Sequence, residues 1–115
     1  MMVAAASKRY PEGLILGLVL VSAISIGLYH KTVHPSVAGG DSGELMCVAH
    51  ELGPPHPPGY PTFAMLTKAA EVVIRAADPS LSVGKAQNLF HATLSGFACA
   101  LLYLATALIT KSTAA

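Results

Sequence analysis

The sequence predicts an all-helical membrane chain in which two transmembrane helices are joined by a loop carrying two short amphipathic helices. Three observations predict it. Of the 115 residues, 53% are hydrophobic and only 11% charged, with a mean hydropathy of +0.57, whereas soluble domains carry about 25% charged residues. Two long stretches hold no charge at all, and the segment between them turns abruptly rich in Gly, Pro, His and carboxylates. Seven Lys and Arg against six Asp and Glu give a formal charge of +1, which provides no basic surface for nucleic-acid phosphates. Cys47 and Cys99 are too few for a disulfide framework.

Residues 1–12 form a short tail holding Lys8 and Arg9, followed by the first span at 13–30. Leu14 to Tyr29 is sixteen residues without a charge, about 24 Å of helix against a hydrocarbon core of about 30 Å, and its flanks supply the rest. Gly13 and Gly17 form a GxxxG pair suited to close approach of another helix. Cleavage as a signal peptide near Ala23 would leave an apolar core of only Leu14 to Leu20, so a retained helix is expected. The second span lies in a helix over 83–110, in which Ala92 to Thr110 is uncharged and Ala92, Gly96 and Ala100 repeat as a small-residue face. Lys85, Asn88, His91, Ser95, Cys99 and Thr106 mark one side of that helix with polar groups. Such groups face other helices, a wet cavity or the headgroup region, and two spans alone hardly bury the stripe.

Both outer segments, 1–12 and 111–115, carry net positive charge, while residues 31–90 hold four basic and five acidic side chains. The excess of Lys and Arg places the ends in the cytosol and the loop on the lumenal side.

Within the loop at 31–82, Gly39-Gly40 frees a turn and Asp41 stands three residues before Glu44. That is capping-box spacing, in which Asp41 accepts the Glu44 amide. Leu45, Val48, Ala49 and Leu52 give this short helix an apolar face, and Gly53-Pro54 ends it. Glu44, Cys47 and Glu51 fall on the opposite face with Asp41 at its start, so the carboxylates are placed to face one cavity. A capping role alone accounts for Asp41 and Glu44. A general base or a pair of metal ligands fits them equally well. Pro54 to Pro61 has prolines at five of eight positions, which excludes a helix and sets a rigid turn that aims His56 and Tyr60. The spacing of His50, Glu51 and His56 matches no zinc pattern. Pro61 to Ala77 reads as a helix with one polar stripe, Lys68, Glu71, Arg75 and the following Asp78, expected to be a solvated edge on a helix lying at the membrane interface.

The runs Pro35-Ser36-Val37, Gly39-Gly40-Asp41-Ser42-Gly43-Glu44-Leu45, Leu52-Gly53 and His56-Pro57-Pro58-Gly59-Tyr60-Pro61, with Asn88-Leu89 further on, carry a resemblance. The chain resembles the amino-terminal region of a membrane family, formerly known only as a domain of unknown function. Its vertebrate member is an endoplasmic-reticulum protein O-mannosyltransferase acting on IPT domains of plexin-type receptors. That family is similar to the GT-C glycosyltransferases, whose helical bundles surround a lumenal active site with an acidic residue in the first loop. The resemblance implies an endoplasmic-reticulum location and a dolichyl-phosphate sugar donor, most simply mannose. It implies a protein Ser/Thr acceptor, catalytic roles for Asp41 and Glu44, and substrate binding by His56, Tyr60 and Asn88. It assigns no cofactor and leaves divalent-metal use open. Family members continue through further helices where this chain stops. The chain is therefore expected to be a fragment that needs the missing helices of its bundle and is inactive alone. The competing expectation is a non-catalytic two-span protein, an assembly partner or remnant tolerant of Asp41→Ala.

Overall fold

The computed structural model of the chain describes residues 11–57 and 59–112. The basic pair Lys8 and Arg9 on which the topology rests, Pro58 of the proline turn and residues 113–115 of the expected cytosolic end lie outside the described residues. Four helices follow in order, α1 (Leu14–Thr32), α2 (Ser42–Glu51), α3 (Pro61–Ala77) and α4 (Val83–Thr110), with no strand among the described residues. The architecture is the all-helical one expected.

The longest element, α4, is the strut of the molecule. Its start is fixed by Ser82, whose hydroxyl accepts the Lys85 amide at 3.2 Å, one of the donors a helix start leaves unpaired. Its 28 residues span about 42 Å. α1 packs along the second half of α4, while α3 and α2 cover the first half. Small residues make this close packing feasible: Ala92, Gly96, Ala100 and Ala107 are all buried. The other side of each apolar helix looks outward, with Ile15, Leu16, Val19, Leu20, Ile24 and Leu28 exposed on α1 and Leu101, Leu102 and Ile109 on α4. Both helices are long and apolar enough to cross a membrane. Large side chains outside and alanines inside form the pattern of an integral membrane chain.

Two details of the packing differ from expectation. Gly13 takes φ +80° as the residue before α1, its carbonyl accepting the Gly17 N–H at 2.8 Å, so it caps the helix and Gly17 is the member of the GxxxG pair inside it. Gly17 alone makes a close approach, with a Cβ there falling on the Tyr103 phenol. Gly96 is the tighter junction, because a Cβ would stand 3.1 Å from both N and Cα of Ile26. Backbone cannot move aside as a flexible side chain can, so Gly96→Val is expected to destabilise the α1–α4 pair by about 1–3 kcal/mol. Melting in detergent measures it. Gly27→Ala is the control, having nothing within 4 Å of its added carbon.

Candidate functional site

Asp41 precedes α2 with φ −74° and ψ 0°, helical values where a capping residue needs extended ones. Its side chain therefore makes no cap hydrogen bond, contrary to the capping box expected from spacing. Ser42 holds the turn instead, its hydroxyl donating to Ala38 O at 2.6 Å and Gly39 O at 3.0 Å. The Asp41 carboxylate is left exposed at the helix start.

Glu44, one turn along, is occupied. Its carboxylate accepts the His56 backbone N–H at 2.8 Å and the His56 ring N–H, with Nδ1 at 2.9 Å from each oxygen. The backbone N–H, the ring hydrogen bond and the ring charge hold its carboxyl below the usual carboxylate range against a smaller desolvation effect. Glu44 thus pins the proline turn onto α2. The ring of His56 meets that of Tyr60 edge-on, with centroids 5.9 Å apart, and Gly59 at φ +85° bends the chain between them. Glu44, His56 and Tyr60 form one cluster, bordered on the Tyr60 side by a cleft of about 580 Å³ that Pro54, Pro55, Ala64 and Met65 help to line.

The pin has a pH dependence of defined sign. A carboxylate whose pKa is depressed on folding stabilises the fold above its unfolded value, and that contribution is lost as pH falls through the folded value. Glu44 is therefore expected to titrate below the ordinary 4.5 in an NMR carboxyl titration. His56→Ala should move it back upward, and an unmoved Glu44 would deny the pin.

The remaining expected site residue lies elsewhere. Asn88 on α4 donates its amide to His34 O at 2.9 Å and Ser36 O at 2.8 Å, strapping the α1–α2 connector to α4. The expected cavity shared by several carboxylates does not form either. A cavity of about 220 Å³ beside α2 is lined by Cys47, His50 and Glu51, with Asp41 and Glu44 outside it. His50 and His56 serve different carboxylates, since His56 meets Glu44 and His50 donates from Nδ1 to Glu71 Oε1 at 2.8 Å. Cys99 approaches the Tyr29 hydroxyl at 3.6 Å, and Thr106 bonds to its own helix at Leu102 O.

The largest departure is Glu71. Expected on a solvated edge, it is 2% exposed and sits beside Gln87 and Thr67, which are 1% and 0% exposed. Gln87 Nε2 donates to Glu71 Oε2 at 2.9 Å and to Met46 O at 3.2 Å. Lys68 Nζ and Arg75 Nη1 each stand 3.7 Å from Oε1. Burial pushes the Glu71 carboxyl upward, but hydrogen bonds from Gln87 and His50 and the charges of His50 and Lys68 outweigh it and hold the pKa below the usual range. One carboxylate therefore joins α2, α3 and α4. The sequence signal was the face itself: Ala64, Thr67 and Glu71 are buried while Met65, Leu66, Val72 and Val73 are exposed.

The geometry can be set beside known proteins. A family model described as the protein O-mannosyl-transferase TMEM260 N-terminal domain matches residues 41–115. The mouse protein O-mannosyl-transferase TMEM260 is 37% identical over 100 residues, covering 87% of this chain and 14% of its own length. The Dictyostelium discoideum protein O-mannosyl-transferase tmem260 is 39% identical over 77 residues, covering 67% and 9%. The chain thus spans no more than about a seventh of either relative. No solved structure matches it.

Proposed function

The chain belongs to the family of the protein O-mannosyl-transferase TMEM260 N-terminal domain, and from that premise we propose that it supplies the amino-terminal part of a multi-spanning, GT-C-like mannosyltransferase. Its loop at 31–82 faces the lumen of the endoplasmic reticulum. The donor is dolichyl-phosphate mannose and the acceptor a Ser or Thr hydroxyl of a protein.

The observation that carries this reading is the exposed Asp41 carboxylate, which makes no cap bond, at the first residue of the family match. In the transfer step the acceptor oxygen forms a bond to the sugar C1 as the bond from C1 to the phosphate oxygen breaks. The phosphate leaves with the electron pair, and the hydroxyl proton passes to Asp41 as general base. Glu44 is unsuited to take that proton, because its hydrogen bonds with His56 stabilise the ionised form. It acts as a positioning residue that sets His56 and Tyr60 beside the acceptor. Asn88 acts through the connector it straps.

The donor class is tested with the full-length protein that carries this segment, reconstituted in liposomes with a Ser/Thr acceptor domain. Mannose is expected on the acceptor, read by mass spectrometry, when dolichyl-phosphate mannose is supplied. Equal transfer from a nucleotide-linked mannose would overturn the reading.

A further inference from the structure

The outer face of α3 carries no charge. Exposed along it are Thr62, Leu66, Ala69, Val73 and Ala76, spaced four, three, four and three residues apart. That is the a/d repeat of a helix seam, with Met65 and Val72 exposed at its flank. The polar face that would hold such a helix at a wet surface is spent inside the protein. Lys68 and Arg75 turn to Glu71 at 3.7 Å, and Glu71 meets Gln87 of α4 and His50 of α2.

The partners along α3 give its direction. Thr67 meets His91 at 3.3 Å, Glu71 meets Gln87 at 2.9 Å and Arg75 Nε donates to Leu81 O at 3.1 Å, so each turn forward on α3 is a turn back along α4. The two helices are antiparallel, and α3 follows the axis of α4 instead of lying across it. His91 adjoins the uncharged stretch that begins at Ala92. At the same level α1 reaches Lys31 and His30, whose ring bonds to Thr93 at 2.8 Å, so the two spans end there together. From Phe63, stacked on His91, to Ala76, α3 therefore rises about 20 Å beyond the apolar stretch, and its outer face stands clear of the hydrocarbon.

A continuous apolar face outside the lipid needs a protein cover. Its texture is that of a helix junction. Ala69 and Ala76 alternate with Leu66 and Val73, and the α1–α4 pair likewise meets on the buried small residues Ala92, Gly96 and Ala100. A second copy of the chain fits poorly, since this narrow stripe falls far short of the roughly 20–30 residues a side in a stable interface between separate molecules. A helix tethered in the same polypeptide needs less area, because its effective concentration is high. The stretch shared with the mouse relative is 14% of that relative's length, which leaves ample chain to supply one. We propose that the outer face of α3 is the docking surface for an apolar helix from the remainder of the same polypeptide, packed outside the membrane on Leu66, Ala69, Val73 and Ala76. Its place in the same polypeptide rests on the multi-spanning reading above; the helical shape of the occupant rests on α3 alone. Through Glu71 and His50 the same contact braces α2, at whose start Asp41 stands.

The test uses the full-length protein in native membranes, with a photoreactive side chain at one flank of the seam, Met65→p-benzoylphenylalanine or Val72→p-benzoylphenylalanine. Two differently tagged copies are co-expressed, and the dominant adduct is mapped by mass spectrometry. At both positions it is expected to join a peptide of the same copy that lies outside residues 1–115. A dominant adduct at either position with phospholipid, with the other tagged copy, with a different protein, with residues 1–115 or with water overturns the proposal. Ala69→Leu adds bulk where a neighbouring backbone comes close, and should lower the melting temperature of the full-length protein by several degrees. Melting like wild type would also overturn the proposal, because a side chain facing lipid or water tolerates that change. The transferase reading is judged apart, by mannose transfer in the unsubstituted protein. A lipid or dimer adduct beside normal transfer overturns the docking surface alone, and the expected adduct without transfer from dolichyl-phosphate mannose overturns the donor class alone.

Discussion

Asp41→Asn is expected to lower mannose transfer by the full-length protein by about 10²–10⁴-fold, the range a positioned general base contributes. The substitution keeps the shape of the side chain and removes only its ability to take a proton. Folding should not change, because the Asp41 side chain makes no cap hydrogen bond to lose, and Asn is as acceptable as Asp before a helix. The loss should therefore appear in kcat with an unaltered melting temperature. Glu44→Gln is expected to act differently. The amide oxygen can still accept one of the His56 N–H groups now held at 2.8–2.9 Å, so the turn loosens without being released, and the change should fall mainly on KM. Transfer at the normal rate by Asp41→Asn would sink the base assignment. A kcat loss in Glu44→Gln equal to that in Asp41→Asn would mean that the roles of the two carboxylates had been divided wrongly.

The helices were legible because their signals are local. Uncharged runs, the small-residue repeat through Ala92, Gly96 and Ala100, and Pro61 at the start of α3 specify helices without knowledge of any partner. The convergence of His56 and Tyr60 was legible for the same reason, since a run of prolines leaves the backbone few conformations. The Asp41 cap was misread because spacing says which atoms are near, whereas capping also requires an extended backbone at that residue. Gly39 and Gly40 allow a turn that brings Asp41 in with helical angles, and Ser42 takes over the hydrogen bonding. At Asn88 the type of residue predicted polar contact, but its partners, His34 O and Ser36 O, lie more than fifty positions away. Glu71 was the hardest to place. An amphipathic helix in water turns its charged stripe outward, yet α3 turns large apolar residues outward and its carboxylate inward. That inversion is ordinary where the surroundings are lipid or further apolar helices, so the environment, not the periodicity, decides which face is the inside.

The same inversion makes Glu71 the residue on which the loop fold should depend most. Glu71→Ala is expected to cost about 3–5 kcal/mol, the loss seen when one partner of a buried charged group is removed. His50, Lys68 and Arg75, which now surround one oxygen, would then face one another without the anion between them. Gln87 would lose its acceptor on α3 while still donating to Met46 O on α2. Gln87→Leu should cost less, about 1.5–3 kcal/mol, because it withdraws a single neutral donor from a charged acceptor. Both effects should concentrate on α2, which packs on α3 and α4 and is tied to them through His50 and the Met46 carbonyl. Hydrogen exchange over residues 42–51 should rise before exchange in α4. The pH dependence follows with a fixed sign: the Glu71 pKa is depressed, so its contribution is present above the unfolded carboxylate value and is lost as pH falls through the folded one. Acid should therefore release α2 in the wild-type chain and have a smaller effect in Glu71→Ala, where the Glu44 pin on His56 is the depressed carboxylate of α2 left to titrate. A Glu71→Ala chain that melts and exchanges like wild type would mean that apolar packing alone holds α2 in place. The orientation of Asp41 would then owe nothing to this buried carboxylate.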